Sequence, residues 1–218
     1  MALVDIREGL LATAAEGLRQ QGFGVQTVVA DLSDPASIER GAAQAIHALG
    51  GLDGLVNNAA VTDSGGGGMA DIDVATWDRV MAVNVRGTWL MTRACRAALA
   101  ASGRGAVVNL ASDKALWGVL NLMAYVASKV AVIAMTHSLA RELGAENITV
   151  NAIAPGLVMV EAVKYVPESR HRHYVDQRAL QRQQLPEDVC GPVVFALSDM
   201  ALFVTGQLLA VNGGFVMK

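Results

Sequence analysis

Ser112 stands thirteen residues ahead of Tyr125, and Lys129 follows Tyr125 by four. Helical spacing places residues i and i+4 on one face, and the pair opens the strongly apolar stretch Val130 to Leu143. The lysine ammonium can then act on the phenol. An unperturbed tyrosine, with a pKa of about 10, is too weak a base at neutral pH, but a neighbouring cation stabilises the phenolate and lowers that value. Ser112 follows the run Ala106 to Ala111, which is rich in β-branched and apolar residues. That run predicts a buried strand with the serine hydroxyl at its carboxyl end, facing a crevice. A hydroxyl there could polarise a carbonyl oxygen. Together the three side chains offer a hydrogen bond to a carbonyl, a proton donor and a cation, which is the chemistry of reversible carbonyl reduction.

A Tyr-x-x-x-Lys pair arises by chance in many helices, where it is more often a half-buried aromatic beside a solvated lysine. Further motifs sharpen the signal. Asn57-Asn-Ala-Ala60 ends the apolar run Leu52 to Val56, Asn84 lies in Met81-Ala-Val-Asn-Val-Arg-Gly87, and Pro155-Gly156 ends the run Ile148 to Ala154. In this order the motifs resemble the classical short-chain dehydrogenase/reductases, from the first residues to Asn212-Gly-Gly214. The resemblance implies that Ser112, Tyr125 and Lys129 are catalytic, and that Asn84 holds a water linking the lysine to solvent. It implies a nicotinamide cofactor with Asn58 and Ala59 at the adenosine ribose, and Asp31 and Leu32 at the adenine. Tyr125, Lys129, Pro155, Gly156 and Val158 would then lie toward the nicotinamide.

The chain departs from that family at its start. The family opens with a strand, a Thr-Gly-x-x-x-Gly-x-Gly turn and a helix, whose glycines let the backbone approach the pyrophosphate. No such segment occurs here. Met1 to Ile6 resembles the family's second strand, with Asp5 where an acidic residue binds ribose hydroxyls, so NAD is expected over NADP. Gly65 to Gly68 reads as a flexible loop beside the pocket, and Thr205-Gly206 precedes a strand pattern, so neither replaces the phosphate turn. By resemblance the missing strand is central, and its loss leaves two inner edges unpaired. Either the strand at residues 1 to 6 moves beside the one at 52 to 57, or the chain is unstable, or Met1 is an internal methionine of a longer protein. The last is the expectation, because the chain opens inside a strand. Smaller departures are Val160, where the family usually has a threonine, Ala60 in place of a common glycine, and Asn212 in place of a common aspartate.

Composition fits a soluble α/β enzyme. The chain has 218 residues, 53% of them hydrophobic and 17% charged, enough for one sizeable core. A formal net charge of −3 gives no electrostatic footprint for nucleic acid, and with 5% aromatic residues there is little to build a stacking platform. The first ten residues carry Asp5, Arg7 and Glu8 and lack an apolar core, so a secretory signal and a membrane partner are not expected and a cytoplasmic location is. Cys95 and Cys190 are read as buried reduced thiols.

Helical and strand patterns alternate throughout. Helices are expected over 7–21, 35–49, 74–102, 124–144, 161–184 and 186–198, and strands over 1–6, 25–31, 52–57, 106–111, 148–154 and 207–211. The implied fold is one Rossmann-like domain over residues 1–218, a doubly wound parallel sheet in a three-layer α/β/α arrangement without the family's first strand and helix. Residues 161–184 would form a helical substrate lid. Within it, Arg170-His-Arg-His-Tyr174 suggests either a solvated face or a field that draws in an acidic substrate; two histidines with no third ligand speak against a metal. The helix around Val85 to Leu99 is apolar on more than one face, which suggests packing in a homodimer or homotetramer or burial under its own sheet. Leu116, Trp117 and Val119 would line the substrate side, though Trp117 suits ordinary core equally. The expected activity is NAD-dependent interconversion of a small-molecule secondary alcohol and its ketone. The competing expectation is a silent remnant that acts only as an oligomeric partner.

Overall fold

A computed structural model describes residues 1–63, 67–163 and 166–217. Of the glycine loop expected at 65–68, Gly65 and Gly66 fall outside the described residues, while Gly68 donates its N–H to Asp71 Oδ2 in a short 3-10 turn over Met69–Asp71. The first half alternates β1 (Ala2–Asp5), α1 (Glu8–Gln20), β2 (Gln26–Val29), α2 (Pro35–Leu49) and β3 (Gly54–Asn57). Asp34 starts α2 by accepting the N–H groups of Ala36 and Ser37, Pro35 occupies the first turn, and Gly50 ends it in the left-handed region at φ 73°.

The expected helix over 74–102 is three segments. Asp73 caps α3 (Val74–Met81), a π-helical stretch follows over Ala82–Gly87, and α4 (Thr88–Ala101) completes it. Then come β4 (Ala106–Leu110), the single turn α5 (Lys114–Trp117), α6 (Met123–Leu143) and β5 (Thr149–Pro155). The expected lid helix is much shorter than 161–184: among the described residues of that span only α7 (Glu168–Gln177) is α-helical, preceded by a 3-10 turn at Glu161–Val163. Its mean hydropathy is low, and Arg178 leaves the helical region at ψ 146°, where its side chain turns inward to backbone carbonyls. α8 (Pro186–Leu197) and β6 (Leu208–Val211) close the chain; Cys190 lies on α8 and is exposed, against the expected burial, whereas Cys95 on α4 is buried.

All strand pairs are parallel. They form two groups, β1-β2 and β3-β4-β5-β6. β1 does not move beside β3: it pairs with β2, with Ala2 opposite Gln26 and Asp5 opposite Val29. One layer of helices nevertheless spans both groups. A core of Ile38, Ala42, Leu90, Leu99, Val107 and Val150 receives Val4 from β1 and Leu55 from β3, so α2 and α4 hold the two sheets in one body. An open groove of about 960 Å³ lies at the amino-terminal ends of β1 and β3, lined by Met1, His47, Gly54 and Ala101 among others. Val29 and Val56, which parallel strands ordinarily bury, are 50% and 41% exposed.

Candidate active site

Every strand of this fold ends on the same edge, and the expected site residues collect there. A polar ladder fixes that edge inside the core. Asn57 donates to Thr92 Oγ1 at 3.0 Å and to Asn109 Oδ1 at 2.9 Å, and Asn109 in turn donates to Thr136 Oγ1 at 2.9 Å. β3, β4, α4 and α6 are thereby locked in register by groups that would cost free energy if left unpaired.

Lys129 is buried on α6 and donates from Nζ to the carbonyl of Leu110 at 2.6 Å. Its ammonium lies 5.7 Å from the centre of the Tyr125 ring, so the i, i+4 spacing does bring cation and phenol together. Burial lowers its pKa to about 8, which leaves it mostly protonated at neutral pH. Ser112 is buried two residues beyond the carbonyl that Lys129 holds. Its Oγ accepts the N–H of Lys114 at 3.3 Å, which leaves the hydroxyl hydrogen to be donated elsewhere.

Asn84 sits in the π-helical stretch and is 1% exposed. Its side-chain amide is fully engaged: Nδ2 donates to Val61 O and Ser128 Oγ, and Oδ1 accepts the N–H of Val61. It ties the segment after β3 to the turn of α6 that carries Tyr125 and Lys129. The π turn lets its own backbone pass close to Leu32, since a Cβ on Gly87 would stand 2.8 Å from the Leu32 carbonyl.

The remaining expected contacts divide between the two sheets. At the end of β1, Asp5 accepts the N–H of Arg7 at 2.9 Å through one carboxylate oxygen. Just past β2, Asp31 accepts the N–H of Ser33 at 2.7 Å, and Leu32 follows it. Asn58 and Ala59 are exposed immediately after β3. Beyond β5, Pro155 O accepts the N–H of Asp113 at 2.9 Å, Gly156 donates to Val211 O at 3.1 Å, and Val158 forms a bridge with Gln184. Val160 is 42% exposed.

Sequence reasoning missed the group that seats α7. The Tyr174 hydroxyl reaches Asp113 Oδ1 at 3.4 Å, its ring stacks on Phe215 at 4.4 Å, and Trp117 meets it edge-on at 6.4 Å. Asp113 is fully buried, and burial pushes its carboxyl up to about 6. Arg178 braces the same place, donating to the carbonyls of Leu157 and Arg182 and to Gln184 Oε1. Asp113 and Tyr174 are 61 residues apart, a separation that no local pattern spans. Trp117, 40% exposed, belongs to this aromatic group and not to the core. Among the described residues no cluster of histidine, cysteine, aspartate or glutamate has the makings of a metal centre.

The donor set fits a dinucleotide at its two ends. Lys129 uses one of its three N–H donors on protein, which leaves two for a ribose diol, and the Asp5 carboxylate keeps an oxygen for the other ribose. Between these ends, β1 and β3 have no strand joining them among the described residues, and hence no loop of backbone amides for the pyrophosphate.

Comparison with known proteins places this arrangement in a family. The model described as "Enoyl-(Acyl carrier protein) reductase" matches residues 1–216. The 2-(S)-hydroxypropyl-CoM dehydrogenase 3 of Xanthobacter autotrophicus is 36% identical over 98% of this chain and 86% of its own length. Among solved structures, a blue fluorescent protein from a metagenomic library in complex with NADPH superposes with a TM-score of 0.90 at 30% identity, covering 99% of this chain and 87% of that one. An NAD+-bound xylitol dehydrogenase gives a TM-score of 0.89 at 27% identity, covering 98% and 88%. The fold is a three-layer α/β sheet of the Rossmann-like kind, and the chain belongs to the classical short-chain dehydrogenase/reductase family.

Proposed function

We propose that the protein is an NAD(P)-dependent oxidoreductase that interconverts a secondary alcohol and a ketone, with NAD preferred. The observation that carries this reading is the Lys129 ammonium, which lies beside the Tyr125 ring and donates to the Leu110 carbonyl, two residues before Ser112. Its relatives include dehydrogenases, and its structural neighbours bind both NADPH and NAD+. Asp5, Asp31, Leu32, Asn58 and Ala59 would hold the adenosine side of the dinucleotide and Tyr125, Lys129, Pro155, Gly156 and Val158 its nicotinamide side, and the nicotinamide would supply or accept the hydride.

The side chains handle the proton and the oxygen. Ser112 donates its free hydroxyl hydrogen to the carbonyl oxygen and fixes its position. Tyr125 gives its phenolic proton to that oxygen during reduction and takes it back during oxidation. Lys129, protonated below its pKa of about 8, stabilises the phenolate that remains. Asn84 acts one step back, holding the segment at Val61 against Ser128 so that the face carrying Tyr125 and Lys129 stays in place; by the family resemblance it also anchors the proton relay.

The preference for NAD rests on the Asp5 carboxylate, which would repel a 2′-phosphate. The test is titration of the 218-residue chain with NADH and NADPH, followed by turnover of a panel of ketones by the wild type and Tyr125→Phe. The expected result is saturable binding, tighter for NADH, and a loss of turnover on the order of a thousandfold in the variant with cofactor binding retained. Saturable binding with no turnover of any carbonyl compound would point to a second reading, a silent oligomeric remnant, which the break between β1 and β3 favours.

A further inference from the structure

Three buried side-chain atoms lack a hydrogen-bond partner among the described residues: Asp113 Oδ2, His171 Nδ1 and Arg178 Nε. They belong to one neighbourhood. Asp113 adjoins Ser112 and meets the Tyr174 hydroxyl, Arg178 lies over the Tyr174 ring at 5.3 Å, and His171 is one turn from Tyr174 on the same face of α7. Buried polar groups are nearly always paired, so their concentration beside the reacting hydroxyl marks a place shaped for a polar ligand.

The charge there is unbalanced. Lys114, Arg170 and Arg178 gather around Tyr174, where Lys114 and Arg178 act on the Asp113 carboxylate and the Asp188 carboxylate also acts on Arg178. Burial lowers the pKa of Lys114 and Asp113 opposes this, but Arg170 and Arg178 are both near enough to push it down further. Lys114 Nζ lies 5.6 Å from the Tyr174 ring. Among the described residues, neither the Lys114 ammonium nor the Arg170 guanidinium makes a hydrogen bond or an ion pair. Arg178 differs, because its donors go to Leu157 O, Arg182 O and Gln184 Oε1. Arg172, which looked equivalent to Arg170 in the sequence, is exposed and turns to solvent.

We propose that Lys114 and Arg170 form a subsite for a compact anionic group on the substrate, a carboxylate or its equivalent, held between the segment after Ser112 and the lid helix α7. The substrate class is then a hydroxy acid and its oxo acid, with the reacting carbon at Ser112 and Tyr125 and the anion toward the lid. This assignment rests on the oxidoreductase reading for the reacting carbon and on the cation cluster alone for the anion. Arg178 and Tyr174 frame the subsite, and Asp113 keeps Lys114 charged.

The experiment compares acetoacetate with its neutral methyl ester, using Trp117 fluorescence to follow binding, since that ring lies 6.4 Å from Tyr174. Titrations are run without cofactor and with NAD+, which cannot reduce the ketone, on the wild type, Lys114→Met, Arg170→Met, Arg172→Met and Lys114→Arg, each checked for folding by circular dichroism. The acid should bind at least about tenfold tighter than the ester in the wild type and in Arg172→Met. That preference should disappear in Lys114→Met and Arg170→Met and return in Lys114→Arg. Equal affinity for acid and ester, no saturable binding of the acid in either condition, or a preference that survives both methionine changes overturns the proposal. Because binding is read without turnover, an acid preference in a chain that reduces no carbonyl compound would remove the oxidoreductase reading and leave the anion subsite standing.

Discussion

Lys129 is where burial and chemistry conflict most directly. An ammonium that the proposed mechanism needs charged is held almost entirely out of water, and its pKa falls from 10.5 to about 8. Between those values the unfolded chain binds one proton more than the folded chain, so stability rises with pH across that window, and the cost of the buried cation is fully present below it. Lys129→Met removes the titrating group. From about pH 7.5 to about pH 10, the wild type should gain roughly 2–3 kcal/mol on the variant in denaturant unfolding. Parallel stability curves would show that Lys129 does not carry the shift. At this scale the sequence was informative, because an i, i+4 pair and a serine at a strand end are local patterns. Asp113 and Tyr174 were not legible: an aspartate beside a lysine reads as surface until a distant aromatic covers it.

At the scale of elements, the π-helical stretch decides more than its length suggests. Periodicity over 74–102 predicts one helix, and the structure inserts a wider turn at Ala82–Gly87 that buries Asn84 and brings Gly87 against the Leu32 carbonyl. The signal in the sequence was the Asn84 to Gly87 spacing, which helix periodicity alone does not separate from an ordinary turn. A Cβ at Gly87 would meet backbone at 2.8 Å and the Leu32 Cβ at 3.0 Å, so neither neighbour can yield by a side-chain rotation. Gly87→Ala should cost about 1–3 kcal/mol and weaken dinucleotide binding, because Leu32 borders the expected adenine site. Unchanged melting and unchanged cofactor affinity would mean that this close approach is not required. The segment expected as a lid differs for another reason. Its polar residues read as a continuous helix, but Arg178 turns inward to three oxygen acceptors and ends α7.

The whole molecule joins two parallel sheets whose strands, among the described residues, are not paired with each other. Alternation of helix and strand predicts the layers and the chain order, and the motifs predict which strand ends gather at the site. Whether β1 would close onto β3 could not be read locally, because that depends on what α2 and α4 permit. The structure answers that their shared packing on Ile38, Leu90 and Leu99 holds both strands apart, so apolar contact and not a backbone ladder joins the halves. β1 and β2 then have one neighbour each, whereas β4 and β5 are paired on both sides. Parallel two-stranded pairs are weak by themselves, so the unit of β1, α1 and β2 should open independently of the larger sheet. In native-state hydrogen exchange, amides of Leu3 to Asp5 and Val28 should exchange at least about tenfold faster than those of Val107 to Asn109 and Val150 to Ile153. Uniform protection across both groups would mean that the helical layer alone makes the domain fully cooperative. A saturating dinucleotide, if it touches Asp5 on one sheet and Lys129 on the other as proposed, should narrow that difference, since a ligand that bridges two units stabilises the more labile one most.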